Sequence, residues 1–155
     1  MPDNPASAPH PTVAPDVVEK AVADLTAAFD VSEPPVPVEI MLQRPKPGMW
    51  KELNLAELST TFINIKQRYS PRMSVSRLLA RLICRCDWGI QRGLGDLAAN
   101  EEAMRAFARV IMMPRPMIEA LPAANRTPIT VSMRFEVPED DARLRLEELG
   151  YLVSD

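Results

Sequence analysis

The stretch RMSVSRLLARLICR, residues 72–85, decides how this chain is read. Val75, Leu78, Leu79, Leu82, Ile83 and Cys86 recur at steps of three and four, the period of a helix that buries one face. Ser74 is placed to cap its N-terminus, and neither Pro nor Gly interrupts the run before Gly89. Arg77, Arg81 and Arg85 stand four residues apart and so share one basic stripe. On spacing alone this is a core helix with a solvated arginine edge.

Downstream, Asn100 is placed as the N-cap of a second core helix reaching Met113, with Met104, Phe107, Val110 and Ile111 inward and Pro114 as its stop. Glu101 and Glu102 in its first turn complement the helix dipole. Upstream, a first helix spans Asp16 to Phe29, with Asp16 as N-cap and Val18, Val22, Leu25 and Phe29 on one face. Between these helices, Pro34, Pro35, Pro37, Pro45 and Pro47 confine residues 31–50 to extended or looped structure, strand-like from Val36 to Leu42. Lys51 to Leu58 fits a short helix or a strand equally. TTFINI, residues 60–65, is β-branched and half alternating, which predicts a strand.

The C-terminal part reads as two short helices and a turn. Pro128 fits the first position of one helix that runs through Phe135, and Glu136, Val137 and Pro138 turn the chain. The last helix runs from about Pro138 to Leu149, with Ala142, Leu146 and Leu149 inward and Gly150 as its stop. That is the size of a helix-turn-helix, with Arg143 and Arg145 available for phosphates. Glu136, Glu139, Asp140, Asp141, Glu147 and Glu148 make the would-be recognition helix acidic and oppose that use.

Composition narrows the function classes. A chain of 155 residues suits one domain with a tail, and its formal net charge of -3 argues against indiscriminate nucleic-acid binding. No apolar run approaches the roughly 18 residues of a membrane span, and the N-terminus lacks the pattern of a signal peptide. Residues 1–15 are rich in Pro and Ala and predict a flexible lead. The single histidine, His10, lies in that lead, so no histidine-pair metal site, no ordinary triad and no Cys-His pair is available within the fold. Cys84 and Cys86 point to opposite sides of a helix and make poor disulfide partners, which suits a reducing cytoplasm. An improvised metal site from Cys84, Cys86, Asp87 and Glu101 is set aside in favour of simple packing, and no cofactor is implied.

Three stretches, in order, resemble the ImmA/IrrE-type zinc metallopeptidases. Residues 72–85 resemble the family's active-site helix, R-F-T-L-A-H-E-L-G-H-L-L-L-H, through Arg72 to Ser76 and the apolar Leu79, Leu82 and Ile83. EEAMRAFARVIMMP, residues 101–114, resembles the second motif, E-x-x-A-N-x-F-A-x-x-L-L-M-P, at Glu101, Phe107, Ala108, Ile111, Met113 and Pro114, while Met104 and Arg105 depart from it. Phe135, Val137, Arg145, Leu146, Leu149, Gly150, Tyr151 and Leu152 match the closing pattern. The family's strand before the active helix falls at Phe62 to Ile65. The resemblance implies an α+β fold: a mainly helical zincin-like core with a small β-sheet over residues 16–121, then a helix-turn-helix-like segment over residues 122–155.

The catalytic letters of that pattern are missing. Arg77 and Arg81 stand at the two zinc-histidine positions, Leu78 at the general-base glutamate and Ala80 at the glycine. Only Glu101, at the third ligand position, survives. Arginine has no lone pair to give a metal, leucine accepts no proton, and one carboxylate does not hold zinc. The resemblance therefore implies a pseudo-peptidase with no metal, in which Glu101 faces Arg77 and Arg81 and pairs with them, or in which a cleft lined by Arg77, Arg81 and Arg85 takes an acidic ligand or partner segment.

Three functions follow. The first is a non-catalytic regulator that docks a protein partner, such as the helix-turn-helix repressors or toxin–antitoxin components that active members of the family cleave. The second is a DNA-binding regulator using the C-terminal helices, and the third a peptidase with a rebuilt metal site. After dialysis against zinc, the protein is expected to carry no stoichiometric metal. One zinc per chain, lost in Glu101→Ala or Cys84→Ser, would reinstate the third.

Overall fold

In a computed structural model, residues 13–52 and 69–152 are described, and they fold as helices joined by short turns. The order is α1 (Pro15–Ala28), α2 (Val38–Gln43), α3 (Ser70–Arg85), α4 (Asp87–Gln91), a 3₁₀ helix (Gly95–Ala99), α5 (Glu101–Met112), α6 (Arg115–Glu119), a 3₁₀ turn (Ala123–Asn125), α7 (Pro128–Phe135) and α8 (Glu139–Glu148). The described residues contain no strand, which overturns the expected α+β class with its small β-sheet. The strand expected at residues 60–65, and most of the undecided stretch at residues 51–58, lie outside the described residues.

The clearest correction falls on Val36 to Leu42, expected as strand-like and found largely in α2. The prolines bracket this helix without entering it. Pro37 is its N-cap residue, where no amide hydrogen is needed, and the Pro37 carbonyl accepts from the Met41 amide at 3.0 Å. Val38, Met41 and Leu42 bury one side of two turns, a helical spacing that the β-branched residues around it obscure. Trp50 then closes over the end of α2 by donating its indole N–H to the Leu42 carbonyl at 3.1 Å, and its ring stacks on Phe29.

At the centre, α3 packs most extensively on α5, with α2 and α4 also against α3 and with α1 and α8 also against α5. α3 begins four residues ahead of the expected Ser74 cap. Ser70 and Pro71 occupy its first turn, where a missing amide hydrogen costs nothing. Its buried residues are Met73, Val75, Ser76, Leu79, Ala80, Ile83 and Cys84, while Leu78, Leu82 and Cys86 are half-buried. The inward face is thus turned slightly from the one the leucines suggest, towards the small Ser76 and Ala80. Ser76 satisfies its hydroxyl by donating to the Ala108 carbonyl of α5 at 3.0 Å. α5 matches expectation closely: Asn100 caps it by accepting the Ala103 amide, and Met104, Phe107, Val110 and Ile111 are buried.

Helix ends are closed by local chemistry. α1 begins at Pro15 with Ala14 as N-cap, so Asp16 sits in the first turn rather than at the cap. α8 ends in paired reverse bonds, Gly150 N to Glu147 O and Tyr151 N to Leu146 O, around a left-handed Gly150. Between α3 and α5 the chain forms α4 and the 3₁₀ helix, and α4 closes through the same pattern of bonds around a left-handed Gly93. The C-terminal pair is not a separate lobe: Val131, Phe135, Val137, Ala142 and Leu146 share one buried cluster with Leu79 and Ile111. No described helix is long and apolar enough to cross a membrane.

Gly89 shows how tightly α4 folds back on α3. A Cβ at this position would lie 1.8 Å from the Ile83 carbonyl oxygen. Gly89→Ala is expected to destabilise the protein by about 3 kcal/mol, as overpacking against backbone does, read as a lower thermal midpoint. An unchanged midpoint would show that α4 is not held this way.

Candidate functional site

Arg77, Arg81 and Arg85 project from the face of α3 opposite its buried one, and all three are exposed. Glu101, the first residue of α5, is brought beside them by the α3–α5 packing. Arg81 Nη2 lies 3.8 Å from Glu101 Oε1, and both side chains are well exposed, at 46% and 74%. That is an ion pair in water, too long for a hydrogen bond, and such pairs contribute about 0–1 kcal/mol. The expected pairing of Glu101 with the α3 arginines is therefore found for Arg81 alone among the described residues, as an exposed surface pair. Arg77 and Arg85 form no ion pair among the described residues.

Leu78, expected at a general-base position, packs half-buried against the core. The charge of Arg77 is felt across the helix boundary by Asp141 in the first turn of α8. Burial pushes the Asp141 carboxyl above its ordinary range, against the opposing pull of Arg77 and Arg109. Arg85 borders a shallow depression with Trp50, Lys51, Leu82 and Asp87, in which two cations stand beside one carboxylate.

The cysteines do not supply what the arginines lack. Cys84 is buried, its Sγ lies 3.7 Å from Met104 Sδ, and burial above all, then the neighbouring Cys86, pushes its thiol up to about 12. It stays protonated at neutral pH, as a packed core thiol does. Cys86 donates its S–H to the Ile83 carbonyl at 3.2 Å. Among the described residues no group of three His, Cys, Asp or Glu side chains is gathered to hold a metal ion.

The two arginines assigned to phosphate contact part company. Arg143 is exposed on α8 and bonded to Glu147 at 3.2 Å, with Asp140 at 3.8 Å. Arg145 is enclosed, its side chain 3% exposed. Its Nε donates to the Met113 carbonyl at 2.9 Å and its Nη2 to both Glu19 oxygens at 3.0 and 2.8 Å. It is a structural clamp between α1, the end of α5 and α8, and is not presented to a nucleic-acid backbone. Burial lowers its pKa, and Glu19 opposes that shift.

Sequence reading missed the partners of this clamp, and it missed Arg72. Arg72 donates to Glu39 at 2.8 Å, to the Phe135 and Glu136 carbonyls at 3.2 and 3.1 Å, and to the Val36 carbonyl. A cation there meets the negative end of α7. No local pattern marks either arginine, because their partners lie tens of residues away. Arg145→Met, which strands Glu19 in a half-closed site, is expected to cost about 3 kcal/mol, against less than about 0.5 kcal/mol for Arg143→Met on the surface. Equal effects in urea unfolding would contradict the clamp.

Set beside protein families, curated proteins and solved structures, the chain matches none.

Proposed function

We propose that the chain is a non-catalytic regulatory protein of the ImmA/IrrE type that docks a protein partner, a helix-turn-helix repressor or a toxin–antitoxin component, in the cytoplasm. The observation that carries this reading is the meeting of Arg81 and Glu101 at 3.8 Å across the α3–α5 junction. In the geometry the resemblance implies, the third ligand position faces the two on the central helix, and here those positions hold a guanidinium and its carboxylate. Leu78 packs against the core and the Cys84 thiol is buried and protonated, so neither of these two side chains offers a base or a thiolate. What remains is a ridge of three exposed arginines, two without ion pairs among the described residues, suited to an acidic partner surface.

The DNA-binding alternative gains nothing from the C-terminal helices. Arg145 is enclosed, Arg143 is neutralised by Glu147 and Asp140, and the start of α8 is acidic. Nor does the rebuilt peptidase, since no ligand group forms among the described residues.

The test uses the full chain and a repressor encoded beside it. Binding that leaves the repressor intact by mass spectrometry is expected, weakened by about tenfold or more in the double variant Arg77→Glu with Arg85→Glu, since rim charges steer encounter and register. Cleavage of the repressor would overturn the non-catalytic reading. Unchanged affinity in the variant would remove the arginine ridge from the interface.

A further inference from the structure

On the other side of α5 from the arginine ridge, a groove of about 410 Å³ opens between α1, α5 and the end of α8. Its walls are apolar, with Val18 from α1, Phe107 and Val110 from α5 and Leu149 after α8. Ala103 and Ala106 also line it, and two such short side chains on a core helix are what leaves the space open. The volume falls in the range of small-molecule sites, roughly 300–1,000 Å³.

The polar groups of the groove are of two kinds. Its carboxylates Glu19 and Glu148 are already engaged, Glu19 by both bonds from Arg145 and Glu148 by Arg109 Nε at 2.6 Å. Its donors are not used up. Arg115 lines the groove with its nearest carboxylates, Glu19 and Glu119, at 3.9 and 4.0 Å, beyond hydrogen-bond reach. Nη1 of Arg145 likewise makes no hydrogen bond among the described residues. Asp96 lines the groove too, exposed on the 3₁₀ helix, where water screens its charge. The unfilled capacity is therefore that of a planar, two-pronged donor beside an apolar channel, which matches a carboxylate on a hydrocarbon body.

We propose that this groove binds a small apolar monocarboxylate, its hydrocarbon part against Val18, Phe107, Val110 and Leu149 and its carboxylate on Arg115. The site is separate from the arginine ridge and independent of the repressor reading. Arg145 holds the floor of the groove in place through Glu19, so it positions the site and Arg115 makes the contact.

Octanoate serves as the probe, with octan-1-ol as its uncharged counterpart, both titrated into the full chain and followed by amide chemical shifts. Saturable shifts at Ala103, Ala106 and Leu149 are expected, with octan-1-ol weaker by about tenfold or more. Arg115→Met, a change at a half-exposed side chain, is expected to weaken octanoate by a similar factor while leaving octan-1-ol unchanged. Ala106→Trp, filling the channel, is expected to abolish binding of both. Equal affinity for acid and alcohol, unchanged octanoate binding in Arg115→Met, shifts confined to another surface, or no saturable shift at all would each overturn the proposal.

Discussion

The guanidinium of Arg145 is the constraint on which the assembly of this fold depends. It spans 126 residues of sequence to reach Glu19, and on the way it takes the Met113 carbonyl left over at the end of α5. A charge this enclosed is tolerable only when paired and hydrogen-bonded, because the desolvation cost of a bare one is several kcal/mol. The clamp therefore admits few alternatives: α1, the α5 terminus and α8 must arrive together. Arg72 does the same on the opposite flank, gathering Glu39, the Val36 carbonyl and the C-terminal carbonyls of α7 around one side chain. Two arginines thus dock the C-terminal helix pair at both ends, which is why that pair shares the core and does not form a lobe of its own.

Within that frame, α3 and α5 divide their faces between structure and surface. Ser76, Ala80 and Ala108 are buried where the two helices meet, and their small size permits close approach, with the one hydroxyl satisfied across the junction. The opposite face of α3 carries its three arginines into solvent. The first residue of α5, Glu101, answers one of them, while Ala103 and Ala106, a turn further on, line the groove. A single helix therefore borders both candidate surfaces, and a change in how α5 sits would be felt at each of them.

Charge on this protein has two physical meanings, set by depth. Arg72, Arg109 and Arg145 are enclosed or nearly so, at 17%, 11% and 3% side-chain exposure, and hold the fold through short bonds to carboxylates and carbonyls. Arg77, Arg81, Arg85 and Arg143 lie in water: Arg81 and Arg143 make exposed ion pairs that add little to stability, and Arg77 and Arg85 make none among the described residues.

The helices α1, α3, α5, α7 and α8 were legible in the sequence because each carries apolar residues at helical spacing together with a Pro, Asn or Gly at an end, and these are local signals. α2 was not, since its Pro-flanked, β-branched residues read equally well as extended chain until packing on α3 selects the helix. The side of α3 that turns inward was half legible. Leucines mark Leu78 and Leu82, whereas the fully buried positions include the small Ser76, which bonds across to α5, and Ala80. The arginines carry the lesson furthest. By itself the sequence determined that Arg77, Arg81 and Arg85 share a face, because four-residue spacing on a helix leaves no choice. Only the tertiary structure decided that Arg145 is a buried clamp and Arg143 a surface charge, because burial and pairing depend on groups that the chain brings together from 32 and 126 residues away.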